Sequence, residues 1–166
     1  DATVATTTVV SRSDGPGPVG TRASRKPVIS GDSNIVAFES ESRFDPSTDP
    51  DNDLDVYSRS LSTGATTLVS VLADGTKGDR RAFSPSISRN GEVVAFLSDS
   101  TNLDSGDTRT NIDAYAKGLS TNKLWLVSRA DGTGGQSLGD EVSSFSVANQ
   151  GQGFGFTFRD IRGQFE

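Results

Sequence analysis

The chain repeats itself at long range. Pro27-Val28-Ile29-Ser30 returns as Pro85-Ser86-Ile87-Ser88, Val36-Ala37-Phe38 as Val94-Ala95-Phe96, and Asp55-Val56-Tyr57 as Asp113-Ala114-Tyr115, all at one offset of 58 positions. A further segment occurs three times: Val10-Ser11-Arg12-Ser13-Asp14-Gly15, then Val69-Ser70-Val71-Leu72-Ala73-Asp74-Gly75, then Val127-Ser128-Arg129-Ala130-Asp131-Gly132. A period this long restricts the chain to architectures in which each repeat is a supersecondary unit that buries its apolar face on the next. What such a chain binds is left to its loops.

Each repeat reads as four short strands. In the second, Ser84 to Ser88 is followed by the turn signal Arg89-Asn90-Gly91, with glycine free to take positive φ. Glu92-Val93-Val94-Ala95-Phe96-Leu97-Ser98 is rich in β-branched and apolar residues and lacks a polar face, so burial on both sides is expected. After a polar loop, Ile112 to Lys117 alternates, and Leu124-Trp125-Leu126-Val127-Ser128 makes a fourth strand. The first repeat has the same order, with its turn at Gly31-Asp32-Ser33-Asn34. No segment carries apolar residues at helical spacing over three turns, so the chain is expected to be all-β. Four-stranded units joined by repetition fit a β-propeller better than a sandwich, which needs no internal repeat.

The second repeat resembles the TolB-like, WD40-like (PD40-type) propeller repeat family. The resemblance is carried by Pro-Ser-Ile-Ser, a turn with Asn-Gly, Val-Val-Ala-Phe-Leu-Ser-Asp, then Asp-Ala-Tyr, Leu-Val-Ser and Ala-Asp-Gly. It extends through the first repeat and fades in the third, where Gly153-Phe154-Gly155-Phe156 replaces Val93-Val94-Ala95-Phe96. The family implies blades of four antiparallel strands around an axis, and no particular activity.

The blades can be counted. Residues 4–11 read as a lone outer strand, 27–71 and 84–129 as whole blades, and 143–166 as an incomplete, degraded one, giving about two and a half to three blades in a single partial propeller domain. Closed propellers typically have about four to eight blades. Two readings stand: a fragment of a longer chain, or a unit that closes by assembly, two copies making the six blades usual in TolB-like propellers. The start at Asp1 and the absence of Met imply a processed or excised product.

Composition narrows the partners. A net charge of −6 disfavours nucleic acid, whose phosphates reward Lys and Arg, and disfavours an anionic membrane surface. The longest apolar run, Val93 to Leu97, is too short to span a bilayer. There is no Cys, hence no disulfide framework. The acidic, Ser/Thr/Asp/Gly-rich character suggests a secreted or periplasmic bacterial protein, with a protein partner or self-association.

No His occurs either, which removes the commonest general base and transition-metal ligand. Without His or Cys no ordinary catalytic triad can be drawn, and a Ser–Lys pair would have only Lys26, Lys77, Lys117 and Lys123 to draw on, all read as surface groups. The chain is therefore expected not to be an enzyme, with no catalytic residues. The alternative is the propeller portion of an exported hydrolase that gates or positions substrate.

The candidate site is the loop Asp49-Pro50-Asp51-Asn52-Asp53-Leu54-Asp55. Carboxylates at every second position supply the hard oxygen ligands that Ca²⁺ takes, so Asp49, Asp51, Asp53 and Asp55 form a candidate Ca²⁺ set. The loop lacks the glycine and terminal glutamate of an EF-hand. Its counterpart offers Asp107, Asn111 and Asp113, with Arg109 opposing a cation where the first loop has Asp51. The competing reading is that Asp55 and Asp113 cap the turn and bond loop amides. Tyr57 and Tyr115 read as blade packing. Trp125, on an outer strand, reads as either an interface residue or one partly buried between blades.

Overall fold

A computed structural model describes residues 7–107, 109–129, 141–151 and 153–159. Strands β1 (Ser24–Ile29), β2 (Ile35–Ser40), β3 (Asp55–Ser60) and β4 (Thr66–Leu68) form one antiparallel meander. A second, in the same order, contains β5 (Ala82–Ile87), β6 (Val93–Ser98), β7 (Asp113–Gly118) and β8 (Leu124–Leu126). β9 (Glu141–Val147) and β10 (Phe154–Arg159) pair as a third sheet. No helix occurs among the described residues, and so none long and apolar enough to cross a membrane.

The sequence offset is also the structural offset. Phe38 lies opposite Tyr57 and Phe96 opposite Tyr115, and the two Tyr residues pair onward with Leu68 and Leu126. Both Phe–Tyr pairs stack, with ring centroids 6.0 and 5.8 Å apart. Successive sheets pack face to face: β5 against β1, β2 and β3, and β9 against β5, β6 and β7. These are the stacked blades of a partial β-propeller.

The core lies between blades. Ala37, Val56 and Val69 of the first blade join Val94, Phe96, Tyr115 and Leu126 of the second in one buried cluster. Val93, Ala95 and Ala116 pack in turn against Phe145, Val147 and Phe154 of the third. Burying a side chain such as Phe96, which is fully inaccessible, contributes roughly 1.5–3 kcal/mol. β2 and β6 are buried along almost their whole length, as their apolar runs require. β3 and β7 are equally buried, although Ile112 to Lys117 alternates in sequence. A strand sandwiched between neighbouring blades has no solvent face, so its polar residues are buried and must find internal partners.

Two expectations are revised. The first strand of each blade was expected to open near Pro27 and Ser84, but it opens three and two residues earlier, at Ser24 and Ala82. Each carries a β-bulge, between Arg25 and Val28 and between Phe83 and Ser86, with Lys26 and Ser84 at φ +50° and +52°. The bulge accommodates the following proline, which cannot donate to the ladder. Residues 7–11, the described part of the expected outer strand 4–11, form no strand. An outer strand needs the third strand of its own blade as partner, and no blade precedes β1 among the described residues.

The loop after that segment nevertheless docks as its repeats do. Arg59 of β3 donates to the carbonyls of Arg12, Ser13 and Gly15 at 2.9–3.3 Å. Lys117, its counterpart on β7, donates to the Val71 carbonyl at 2.8 Å. A buried cation on each third strand thus grips the preceding Asp-Gly loop. Turns are linked as well: Gly31 N–H donates to the Arg89 carbonyl at 2.7 Å. Gly91 is held at φ +72°, and a Cβ there would lie 3.1–3.2 Å from side-chain atoms of Ile35 and Ser30, so this turn needs glycine both for its backbone and for its approach to the first blade.

Candidate functional site

The acidic loops run from the end of β2 to β3, and from the end of β6 to β7, at one end of each blade. Both contain the same pair of bonds. The Tyr57 hydroxyl donates to Asp49 Oδ2, and the Tyr115 hydroxyl to Asp107 Oδ2 at 2.5 Å. Ser70 Oγ donates to Asp55 Oδ1 at 2.7 Å and accepts Val56 N–H at 3.3 Å. Ser128 Oγ donates to Asp113 Oδ1 at 2.5 Å and accepts Ala114 N–H at 3.0 Å. Asp49, Asp55, Asp107 and Asp113 are all buried, so these bonds satisfy groups that would otherwise be costly to desolvate. The four aspartates hold the buried third strand and its Tyr in register.

Of the four candidate ligands in the first loop, Asp49, Asp51 and Asp55 converge, one oxygen of each lying within 4.8 Å of the others. Asp53 does not join them: it is exposed, and its N–H closes a turn on Asp51 Oδ1 at 2.9 Å. In the second loop Arg109 N–H bonds Asp107 Oδ1 at 3.2 Å, and among the described residues no third carboxylate converges with Asp107 and Asp113 into a set like that of Asp49, Asp51 and Asp55. Asn111 is half-buried.

Lys77, from the loop joining the first two blades, enters the first cluster. Its Nζ lies 3.0 Å from Asp55 Oδ2 and 3.1 Å from Asp51 Oδ2, and its side chain is only 7% exposed. Burial pushes the Asp55 carboxyl up to about 7 against the pull of Lys77 and Ser70. Burial likewise raises Asp49, with the Tyr57 bond opposing it. Burial alone would lower Lys77, but Asp55 and Asp51 more than offset it and hold the ammonium charged.

A second polar cluster, between the first two blades, was not apparent from sequence. Glu39 is buried on β2, and its Oε2 accepts Ser84 N–H at 2.7 Å, an amide turned out of the ladder by the bulge. Lys26 Nζ reaches Ser84 Oγ at 3.0 Å and Glu39 Oε2 at 3.6 Å. This is a Ser–Lys contact, but the Lys26 side chain is 55% exposed and faces a carboxylate, the opposite of the desolvated setting that makes lysine a base. The positive φ at Ser84 recurs at Lys26, so it belongs to the blade's bulge and not to a nucleophile. Glu39 stands where the second repeat has Leu97, and that departure from the apolar pattern is the one signal the sequence offered. Trp125 is half-buried beside Val93, Ala95 and Ala116, with the Lys123 ammonium 5.5 Å from its ring.

No protein-family model and no curated protein matches the chain. Among solved structures it is similar to the β-propeller domain of the Trilobed protease from Pyrococcus furiosus, described as having an open velcro topology. The identity is 14% and the TM-score 0.49, over 81% of this chain and 34% of that one. The chain thus spans about a third of that neighbour's length. The fold is a partial β-propeller. That assignment rests on the two repeated four-stranded meanders and their face-to-face stacking.

Proposed function

We propose that this chain is a non-catalytic binding and scaffold module of a secreted or periplasmic, TolB-like propeller protein, and that its principal surface is a blade-docking face on β1. The carrying observation is an asymmetry between equivalent strands. β5 is half-buried because the first blade covers it, whereas β1 is exposed along nearly its whole length, with Ile29 54% accessible. Beside it a cavity of about 260 Å³ is lined by Val10, Pro27, Val36 and Phe38. Val36 and Phe38 are themselves only 6% and 3% exposed, with Phe44 and Val10 in the cluster around Phe38, so the uncovered part of the face is β1; their counterparts Val94 and Phe96 join Ala37 and Val56 in the core between the first two blades. A partner suited to the face is therefore another blade presenting small apolar residues at those positions.

For this chain in isolation the occupant is a second copy, offering the outer face of its third sheet. Gly155 stands there where the first two blades have Ala37 and Ala95, and a Cβ on it would meet nothing within 4 Å. Light scattering of the purified chain should give a dimer or larger species, and Ile29→Asp should shift it to monomer by placing a charge on the face. A folded, strictly monomeric wild-type chain at high concentration would overturn the assignment.

A further inference from the structure

We propose that Asp49, Asp51 and Asp55 form a pocket for a hard divalent cation of the Ca²⁺ type, and that the Lys77 ammonium is its tethered resident cation. The acidic cluster alone would not support this, since buried aspartates here also serve as structural acceptors. Two further observations do. Asp49 Oδ1 is buried without a hydrogen bond of normal geometry, on a side chain only 1% exposed. Asp55 Oδ2, also buried, is held only by the Lys77 ammonium at 3.0 Å. Asp49 therefore keeps one buried oxygen without a partner, and Asp55 one whose sole partner is a cation that could be exchanged.

Lys77 is supplied by a loop outside the blade. Its ammonium also donates to Gly78 O at 3.3 Å, a bond that goes with the side chain. The loop itself stays anchored when the side chain leaves, because Asn102 donates to the Lys77 carbonyl at 2.9 Å and Gly78 N–H to the Ser70 carbonyl at 3.1 Å. One ammonium brings a single positive charge to the cluster, whereas a divalent ion brings two and takes the oxygen ligands directly. The flexible lysine stem can swing out, because Asp51, on the same side, is half exposed. Wild-type protein should bind Ca²⁺ weakly, by competition with its own lysine, and removal of Lys77 should unmask the site. The second blade lacks the arrangement because Arg109 stands in place of Asp51.

The test is a set of thermal melts of the full chain in CaCl₂ or in NaCl of matched ionic strength. Wild type, Lys77→Met and the double variant Lys77→Met with Asp51→Asn would be compared, with Tb³⁺ luminescence excited through Tyr57 as a direct probe. Lys77→Met should melt lower than wild type without Ca²⁺ and recover with it, binding at least about tenfold more tightly than wild type, whose affinity should be millimolar or weaker. The double variant should lose both the recovery and the Tb³⁺ signal. If Lys77→Met folds only when Ca²⁺ is added, the proposal stands. If Lys77→Met shows no Ca²⁺-specific stabilisation and no Tb³⁺ emission, or if the double variant responds equally, the pocket is a purely structural ion-pair site.

Discussion

Replacing Tyr115 with Phe removes one oxygen and isolates the bond that repeats in both blades. The Tyr115 ring is fully buried and stacks on Phe96 at 5.8 Å, and both features survive the substitution. What is lost is a 2.5 Å donation to Asp107 Oδ2, leaving Asp107 with the Arg109 amide at 3.2 Å. A hydrogen bond to a charged acceptor contributes about 1.5–3 kcal/mol, and stranding one carboxylate oxygen in the interior keeps the loss at the upper end, about 2–3 kcal/mol. For a chain of this length that corresponds to a fall in Tm of roughly 4–12 °C. The loss should depend on pH. Burial raises the Asp107 carboxyl, and the Tyr115 bond opposes that rise. Without the bond the folded-state pKa climbs further from its unfolded value. The carboxylate form is then penalised more, so the deficit should be larger at pH 8 than at pH 4. Urea denaturation of wild type, Tyr115→Phe, Asp107→Asn and the double variant at both pH values gives a coupling energy. Additive effects, or a loss under about 0.5 kcal/mol at pH 8, would refute the role assigned to the pair.

Phe96→Ala should cost about 3–5 kcal/mol, because both faces of its blade are covered, and Phe38→Ala less, because Phe38 borders an open cavity that can collapse; equal losses by chemical denaturation would contradict the stacking. Asp55 has its folded pKa raised to about 7, so its contribution is fully present below the unfolded value near 3.8 and is lost as pH rises through 7. Asp55→Asn should therefore flatten a decline in stability of up to about 4 kcal/mol between pH 4 and 8, and matching urea midpoints for the two proteins across that range would remove the argument. Gly78→Ala places a Cβ 2.6 Å from Ser100 Oγ, which itself bonds the Arg80 amide, and should destabilise by about 1–3 kcal/mol. Gly155→Ala meets nothing and should be neutral or stabilising by up to about 1 kcal/mol; a thermal melt with the reverse order would contradict both placements.

The repeat offset, the all-β class and the four-strand blade could be read from sequence, because apolar runs, Asn-Gly turns and their recurrence are local signals. The offset made Phe38 equivalent to Phe96 and Tyr57 to Tyr115, but the pairing of each Phe with its Tyr is a finding of the structure. The acidic loop was visible as well, but its division was not. Three aspartates converge and Asp53 turns out to solvent, because the loop bends on an Asp51–Asp53 bond that depends on backbone geometry. The burial of β3 and β7 was hidden behind an alternating pattern, since sandwiching by neighbouring blades is not encoded in the strand that suffers it. Lys77 reads as one surface lysine in a turn. Only the stacking of two blades carries it into the first blade's carboxylates, 22 residues or more away along the chain. The same holds for Glu39 and the bulged amide of Ser84, joined across an interface no local pattern describes. Sequence thus determined what each blade is, through short-range periodicity. Tertiary structure decided which charges meet, because those contacts lie between blades and depend on how one sheet sits on the next.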